Sequence, residues 1–102
     1  MVVEVVRGTT PSFIFTFSSV QVADISVAKF TIKQNGRIAI TKDLSDAVVG
    51  TSTITWVLSQ SETLGLNLGE AEFMINFVAN GERGTSTKSL ILVESNHIEE
   101  VI

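Results

Sequence analysis

The sequence contains no cysteine, so it offers no disulfide framework, no thiolate zinc site and no cysteine nucleophile. Histidine is almost as scarce, because His97 is the only one. A zinc or copper site would therefore depend almost wholly on carboxylates, which are a poor ligand set for these metals. We expect no metal and no other cofactor.

Basic residues are also few and scattered. Seven lysines and arginines stand against eleven acidic residues, and no two basic residues are adjacent. The basic surface on which nucleic-acid binding depends is therefore missing. No apolar stretch approaches the length of about 18 residues that a membrane span needs. Residues 1–8 lack a basic start and reach Glu4 early, so we expect no signal peptide and synthesis in the cytoplasm.

What the chain does have is a pattern of alternating apolar and polar residues, which is typical of half-buried strands. Its 102 residues fit one domain, spanning 1–102. Asn35-Gly36 and Asn80-Gly81 can each adopt the two positive φ angles of a type I′ hairpin turn. The pattern predicts seven strands, at residues 2–7, 12–18, 28–34, 37–42, 51–59, 70–79 and 84–93.

Two of these strands carry predictions about burial. In residues 37–42, the alternation predicts that Ile38 and Ile40 both point into the core. In residues 84–93 two choices stay open, because either Leu90 and Leu92 or Ile91 and Val93 can point inward.

A short helical turn is predicted over residues 59–66, where Ser59 and Glu62 have the spacing of a capping box and Gly65 can end the turn. Seven short strands with tight hairpins favour two packed antiparallel sheets. The predicted fold is an all-β, immunoglobulin-like antiparallel sandwich, with Trp56 as its large core aromatic. A small β-barrel is the alternative.

Candidate catalytic residues have simpler explanations. Glu70 and Glu72 lie about 7 Å apart on one strand face, but glycoside hydrolases set their two carboxylates on opposed walls of a cleft. His97 lies in a polar segment without a nucleophile nearby in the sequence. Asp43 and Asp46 fit a solvated turn better than a calcium loop. We expect that the chain is not an enzyme.

The chain also contains apolar residues that the core of one small sandwich does not account for. These residues indicate an interface with a partner. Two-sided apolar strands are either central in a fold or covered by a partner. The first strand and the tail could also close each other's edges within the domain. The candidate interface residues are Val2, Val3, Val5, Met74, Val78, Ile98, Val101 and Ile102.

Four segments resemble small proteins encoded in prophages of Gram-positive bacteria. Within these, the chain is similar to the immunoglobulin-like N-terminal domain of phage baseplate upper proteins, and the similarity spans nearly its whole length. The segments are Arg7-Gly8-Thr9-Thr10-Pro11 with Phe13, Phe15 and Phe17; the run from Phe30 to Gly36; the run from Thr55 to Leu64; and Glu99-Glu100-Val101-Ile102.

The resemblance implies a non-catalytic assembly module of a phage or prophage particle, associated with the tail or baseplate. Its partners would be protein subunits, either other copies of itself or other tail proteins, and not nucleic acid or membrane. It would be made in the bacterial cytoplasm and could enter the virion. The alternative is a sandwich that binds carbohydrate or a cell surface, which would gain support if Trp56 or Phe77 were exposed.

Overall fold

The computed structural model describes residues 2–102, and side chains from residue 3 onwards. The described part contains nine strands, one short helix and two single 3₁₀ turns, at Val22–Asp24 and Leu44–Asp46. None of its helices is long and apolar enough to cross a membrane. The elements are β1 Val2–Val6, β2 Ser12–Thr16, β3 Ile25–Gln34, β4 Arg37–Asp43, β5 Val48–Val49, β6 Thr53–Val57, α1 Gln60–Leu64, β7 Gly69–Ala79, β8 Glu82–Thr85 and β9 Ser89–Glu94.

These strands form two separate sheets that pack face to face. The large sheet has the order β1-β9-β7-β3-β4, with β8 also paired to β7, and the small sheet has the order β2-β6-β5. No pairing within residues 2–102 joins the two sheets into a closed cylinder. The predicted all-β sandwich is confirmed, and the barrel alternative is wrong.

The sandwich is not wholly antiparallel, which corrects the prediction. β1 runs parallel to β9, with Val3 opposite Ile91 and Val5 opposite Val93. An alternating sequence identifies a strand and its two faces but says nothing about its neighbour or direction. The same pairing answers the question left open for the last strand, because Ile91 and Val93 are the buried pair.

Both predicted hairpin turns are present. Asn35 and Gly36 have φ angles of 54° and 77°, and Asn80 and Gly81 have 52° and 78°. Positive φ at both central residues is what a type I′ turn requires. These turns connect β3 to β4 and β7 to β8.

The prediction for Ile38 is wrong because the β3–β4 pairing contains a bulge. Ile32 lies opposite Ile40, but Lys33 lies opposite Ile38, so β4 has one extra residue at this point. An extra residue reverses the face on which the following side chains lie. Ile40 is therefore buried at 7% exposure, while Ile38 points outward at 62%.

Aromatic rings fill the middle of the core. Trp56 of β6 is fully buried and stacks on Phe30 of β3, with ring centroids 5.6 Å apart. Phe15 of β2 meets the same indole edge-on at 5.8 Å. The indole Nε1 donates a hydrogen bond of 2.9 Å to the carbonyl oxygen of Asp43. Trp56 thus joins both sheets through packing and holds the end of β4 through a polar contact.

The predicted capping box at α1 is also confirmed. The Glu62 N–H donates to Ser59 Oγ at 3.1 Å, and the Ser59 N–H donates to Glu62 Oε1 at 2.8 Å. Lys42 Nζ lies 2.9 Å from the same carboxylate. Burial raises the pKa of Glu62, but the hydrogen bonds from Ser59 and the charge of Lys42 outweigh it, so the pKa lies below its ordinary value.

A lowered pKa means that folding favours the charged form of Glu62. Its contribution to stability is therefore present above the ordinary pKa of 4.5 and is lost as the pH falls through the lower folded value. We expect Glu62→Gln to lower the free energy of unfolding at pH 7 by up to about 1 kcal/mol, with the difference shrinking as the pH falls below 4.5. Urea unfolding across pH measures it, with Glu72→Gln as the control. A deficit that persists unchanged into acid would contradict the assignment.

Candidate interaction surfaces

The inward side of the first strand is covered by the domain itself. Val5 is only 1% exposed and belongs to the core, which corrects its assignment as an interface residue. Val3 is half-buried and packs against that core, while Glu4 is exposed. The side chain of Val2 lies outside the described residues.

Met74 and Val78 do lie on an outward surface, the outer face of the large sheet. Val78 is directly opposite Val27, and Met74 is opposite Thr31. Val27 is 46% exposed, and Met74 and Val78 are half-buried. We call this surface the large-sheet face and define it by its six aliphatic side chains: Val27, Ile38, Met74, Val78, Leu90 and Leu92.

Polar groups also lie on this face. Lys29 and Asn76 lie opposite each other on the two central strands, in the row next to Met74, so polar groups cross the face. Lys29 Nζ lies 2.6 Å from Asp43 Oδ1 of β4. Arg83 Nη2 of β8 donates to Asn76 Oδ1 at 2.9 Å. The face therefore combines aliphatic side chains with paired polar groups, as protein–protein interfaces do.

The two glutamates considered for catalysis lie at one end of the same face. An open groove of about 580 Å³ there is lined by both of them, Glu70 and Glu72, and by Lys33 and Lys88. Both carboxylates project from β7 on the same side of the sheet, so they do not face each other across a cleft. The arrangement does not match a general acid and base acting on one bond.

The other candidate polar residues either make hydrogen bonds within a turn or are exposed to solvent. Asp46 Oδ2 accepts a 3.0 Å hydrogen bond from the Asp43 N–H, and so closes the turn that contains both. His97 is exposed on the tail. Among the described residues, no three histidine, aspartate or glutamate side chains converge as metal ligands.

The tail, residues 95–102, is held to the domain by polar contacts. Gln60 of α1 binds the backbone of Ile102 twice, because its Nε2 donates to the carbonyl oxygen at 3.0 Å and its Oε1 accepts from the N–H at 2.7 Å. Arg7 Nη1 lies 3.0 Å from Glu99 Oε1. The predicted interface residues of the tail remain uncovered: Ile98 is 50%, Val101 58% and Ile102 82% exposed.

A third exposed apolar surface, besides the large-sheet face and the tail, is the outer face of the small sheet. It was not predicted from the sequence. Its centre is a row in which Ile14 of β2, Thr55 of β6 and Val48 of β5 lie side by side. Ile14 is 65% and Val48 is 69% exposed. The sequence does contain a signal for this surface. Ile14 is an apolar residue at an outward position, where the alternation of the strand otherwise places polar residues.

No family model and no curated protein matches this chain. Among solved structures, the extracellular domain of mouse leukocyte-associated immunoglobulin-like receptor 1, solved as a strand-swapped dimer, superposes with a TM-score of 0.57. The identity is 8% over 91% of this chain and 87% of the receptor domain. The fold is immunoglobulin-like.

Two further solved structures are similar. Extracellular domains 3–5 of Drosophila OTK give a TM-score of 0.46 at 7% identity, covering 93% of this chain and 32% of that one. The extracellular domain of the voltage-gated sodium channel beta4 subunit gives 0.49 at 16% identity, covering 100% and 90%.

This immunoglobulin-like sandwich joins its sheets without the disulfide of antibody domains. In those domains a cysteine pair connects the second strand to the strand that follows the helical turn. Here Phe13 of β2 and Phe73 of β7 connect the corresponding strands, with ring centroids 4.9 Å apart in an edge-to-face contact. Aromatic packing therefore replaces the covalent link in a chain that has no cysteine.

Proposed function

We propose that the chain is a non-catalytic assembly module that acts through protein–protein contacts made by the large-sheet face. The observation that supports this function best is the group of six aliphatic side chains spread over β3, β4, β7 and β9 on one outward surface. A partner that covers them would gain hydrophobic burial. The paired polar groups between these side chains would set the orientation of the partner.

The setting that we propose is a phage or prophage particle, with the module attached to its tail or baseplate. The support is the resemblance to baseplate upper proteins, whose motif residues include Phe13, Trp56 and the Asn35-Gly36 turn. The partners would then be other tail proteins or further copies of the chain. Synthesis would take place in the bacterial cytoplasm, before incorporation into the virion.

The exposure of the aromatic residues bears on the carbohydrate-binding alternative. Sugar-binding platforms present exposed aromatic rings. Trp56 is fully buried, Phe77 is half-buried, and each of the other five phenylalanines is buried or half-buried. This distribution favours protein partners over glycans.

Particle association tests the proposal. We expect the epitope-tagged chain to co-sediment with particles purified on a density gradient from an induced lysogen that encodes it. Met74→Lys should reduce this incorporation about tenfold, because it places a charge at the centre of the buried contact. Ser45→Lys, at an exposed turn between β4 and β5, is the matched control and should incorporate normally.

Two results would contradict the proposal. The first is a wild-type chain that stays at the top of the gradient, which would remove the particle as its setting. The second is a Met74→Lys chain that incorporates as well as the wild type, which would remove the large-sheet face as the contact.

A further inference from the structure

Among the longer edge strands of the described residues, β2 is the one that carries no charge. Natural proteins protect exposed edges with charged residues, because an unpaired strand otherwise recruits another strand. β5 is also uncharged but has only two residues. The other edge strands of the described chain contain charged residues: Glu4 in β1; Arg37, Lys42 and Asp43 in β4; Glu82 and Arg83 in β8.

The backbone of β2 presents hydrogen-bonding groups on its open side. The Pro11 carbonyl accepts from Leu58 N–H at 3.0 Å, and the Phe17 N–H donates to the carbonyl of Ser52 at 2.8 Å. Because hydrogen-bonded pairs alternate along an antiparallel ladder, the odd-numbered residues of β2 bond to β6. The N–H and C=O groups of Ser12, Ile14 and Thr16 therefore point away from β6, and no strand of residues 2–102 lies on that side.

The order of residues in β2 is nearly symmetric about Ile14. Read in either direction from this isoleucine, the strand gives a phenylalanine and then a hydroxyl residue: Phe15 and Thr16 one way, Phe13 and Ser12 the other. In an antiparallel pair of two such strands, Ile14 meets Ile14 and Phe13 meets Phe15. Ser12 meets Thr16. Each cross-strand pair matches side chains of the same kind, which stabilises a sheet.

The space next to this edge fits an added strand. A gap of about 220 Å³ lies between β2 and β1, and it is lined by Val3, Phe13 and Phe73. No strand of the described residues fills this side of β2. A strand that pairs with β2 would extend the uncharged outer face formed by Ile14 and Thr55.

We propose that two copies of the chain associate through β2, in an antiparallel pairing centred on Ile14 of each copy. The pairing supplies about six backbone hydrogen bonds and joins the two small sheets into one. It is an isologous contact, so it closes at the dimer instead of growing into a filament. This dimer leaves the large-sheet face open and goes beyond the assembly function proposed above.

Sedimentation analysis of the purified chain at concentrations from about 1 μM to 1 mM tests the dimer. This range of concentrations covers the dissociation constants of weak and moderate complexes. We expect the wild type to shift from monomer to dimer within the range. Ile14→Lys should raise the dissociation constant at least about 100-fold, because it sets two lysines against each other at the symmetry axis. Val48→Lys is the matched control, since Val48 is similarly exposed on the same outer face and should still dimerise.

A charge-pair experiment tests the register itself. Ile14→Glu alone should be monomeric like Ile14→Lys, but an equal mixture of the two variants should form a heterodimer. This rescue requires residue 14 of one copy to face residue 14 of the other. Circular dichroism of each variant establishes that it is folded, and position 14 tolerates charge because its side chain is exposed.

The proposal is overturned by a wild type that remains monomeric at 1 mM, by a dimer that survives Ile14→Lys, or by loss of the dimer in Val48→Lys. Failure of the mixed variants to associate also overturns it. The result is independent of the particle experiment, because Met74→Lys leaves β2 unchanged and should dimerise like the wild type.

Discussion

Replacing Trp56 with alanine is expected to lower the free energy of unfolding by about 3–5 kcal/mol, the largest effect of any single substitution considered for this chain. The indole is fully buried between Phe15 and Phe30, so its removal leaves a cavity that rigid neighbours cannot fill. It also leaves the Asp43 carbonyl without its donor. Chemical denaturation followed by circular dichroism measures the loss.

Trp56→Phe separates the two contributions. Phenylalanine keeps most of the aromatic packing but has no N–H, so it leaves the Asp43 carbonyl unpaired at a cost of about 1–3 kcal/mol. We therefore expect its stability to lie between those of the wild type and Trp56→Ala. A loss below about 1 kcal/mol in the alanine variant would show that the core does not depend on this ring.

The second large effect is expected at Thr63, a polar residue that is fully buried in α1. Its Oγ1 donates to the Thr9 carbonyl at 2.8 Å and accepts from the Gly8 N–H at 3.0 Å. Thr63→Val keeps the shape but removes both bonds, so the Gly8 N–H and the Thr9 carbonyl, which are part-buried in these contacts, lose this partner. We expect a loss of about 1–3 kcal/mol, measured by the same denaturation.

Thr55→Val is the matched control for Thr63→Val. Thr55 lies on the outer face of β6, next to Ile14, and is only half-buried. The same chemical change there should alter stability by less than about 0.5 kcal/mol. If both valine variants lost the same amount, the contacts with Gly8 and Thr9 would not explain the effect at Thr63.

Local physics made much of the fold predictable from the sequence. Alternation located six strands, β1 to β4, β6 and β7, and one last continuous segment, which the structure divides between Thr85 and Ser89 into β8 and β9. The two Asn-Gly pairs and the Ser59–Glu62 spacing each have a single strongly preferred backbone form. These features depend on neighbours within a few residues, so the sequence alone carries them.

The features that could not be predicted depend on contacts between distant parts of the chain. The parallel direction of β1 is decided by β9, and the outward position of Ile38 by a bulge against β3. Arg7 shows the same limitation. Its Nη2 donates to the Leu64 carbonyl at 2.6 Å and its Nη1 reaches Glu99, so one side chain links three segments that no local pattern relates.

The residues of the candidate surfaces also differ in whether the local sequence or a distant contact decides their position. Met74 and Val78 were identifiable because they lie on a strand with apolar residues on both faces. One face of such a strand points outward unless another element or a partner covers it. Ile38 joined them only through the bulge in the β3–β4 pairing, and Val27 lies one residue before the start of the predicted strand 28–34. Val5 was misassigned because its burial depends on β1 lying beside β9, which periodicity does not reveal.

The pairing of β1 with β9 also has a consequence for how the chain folds. It joins residues near opposite ends of the sequence, such as Val3 and Ile91, so forming it early would close a loop of almost the whole chain. The entropy lost in closing a loop rises with its length, and folds dominated by such distant contacts form slowly. The hairpins at Asn35-Gly36 and Asn80-Gly81 close short loops and can form first. β1 therefore takes its place in the sheet only after β9 has formed.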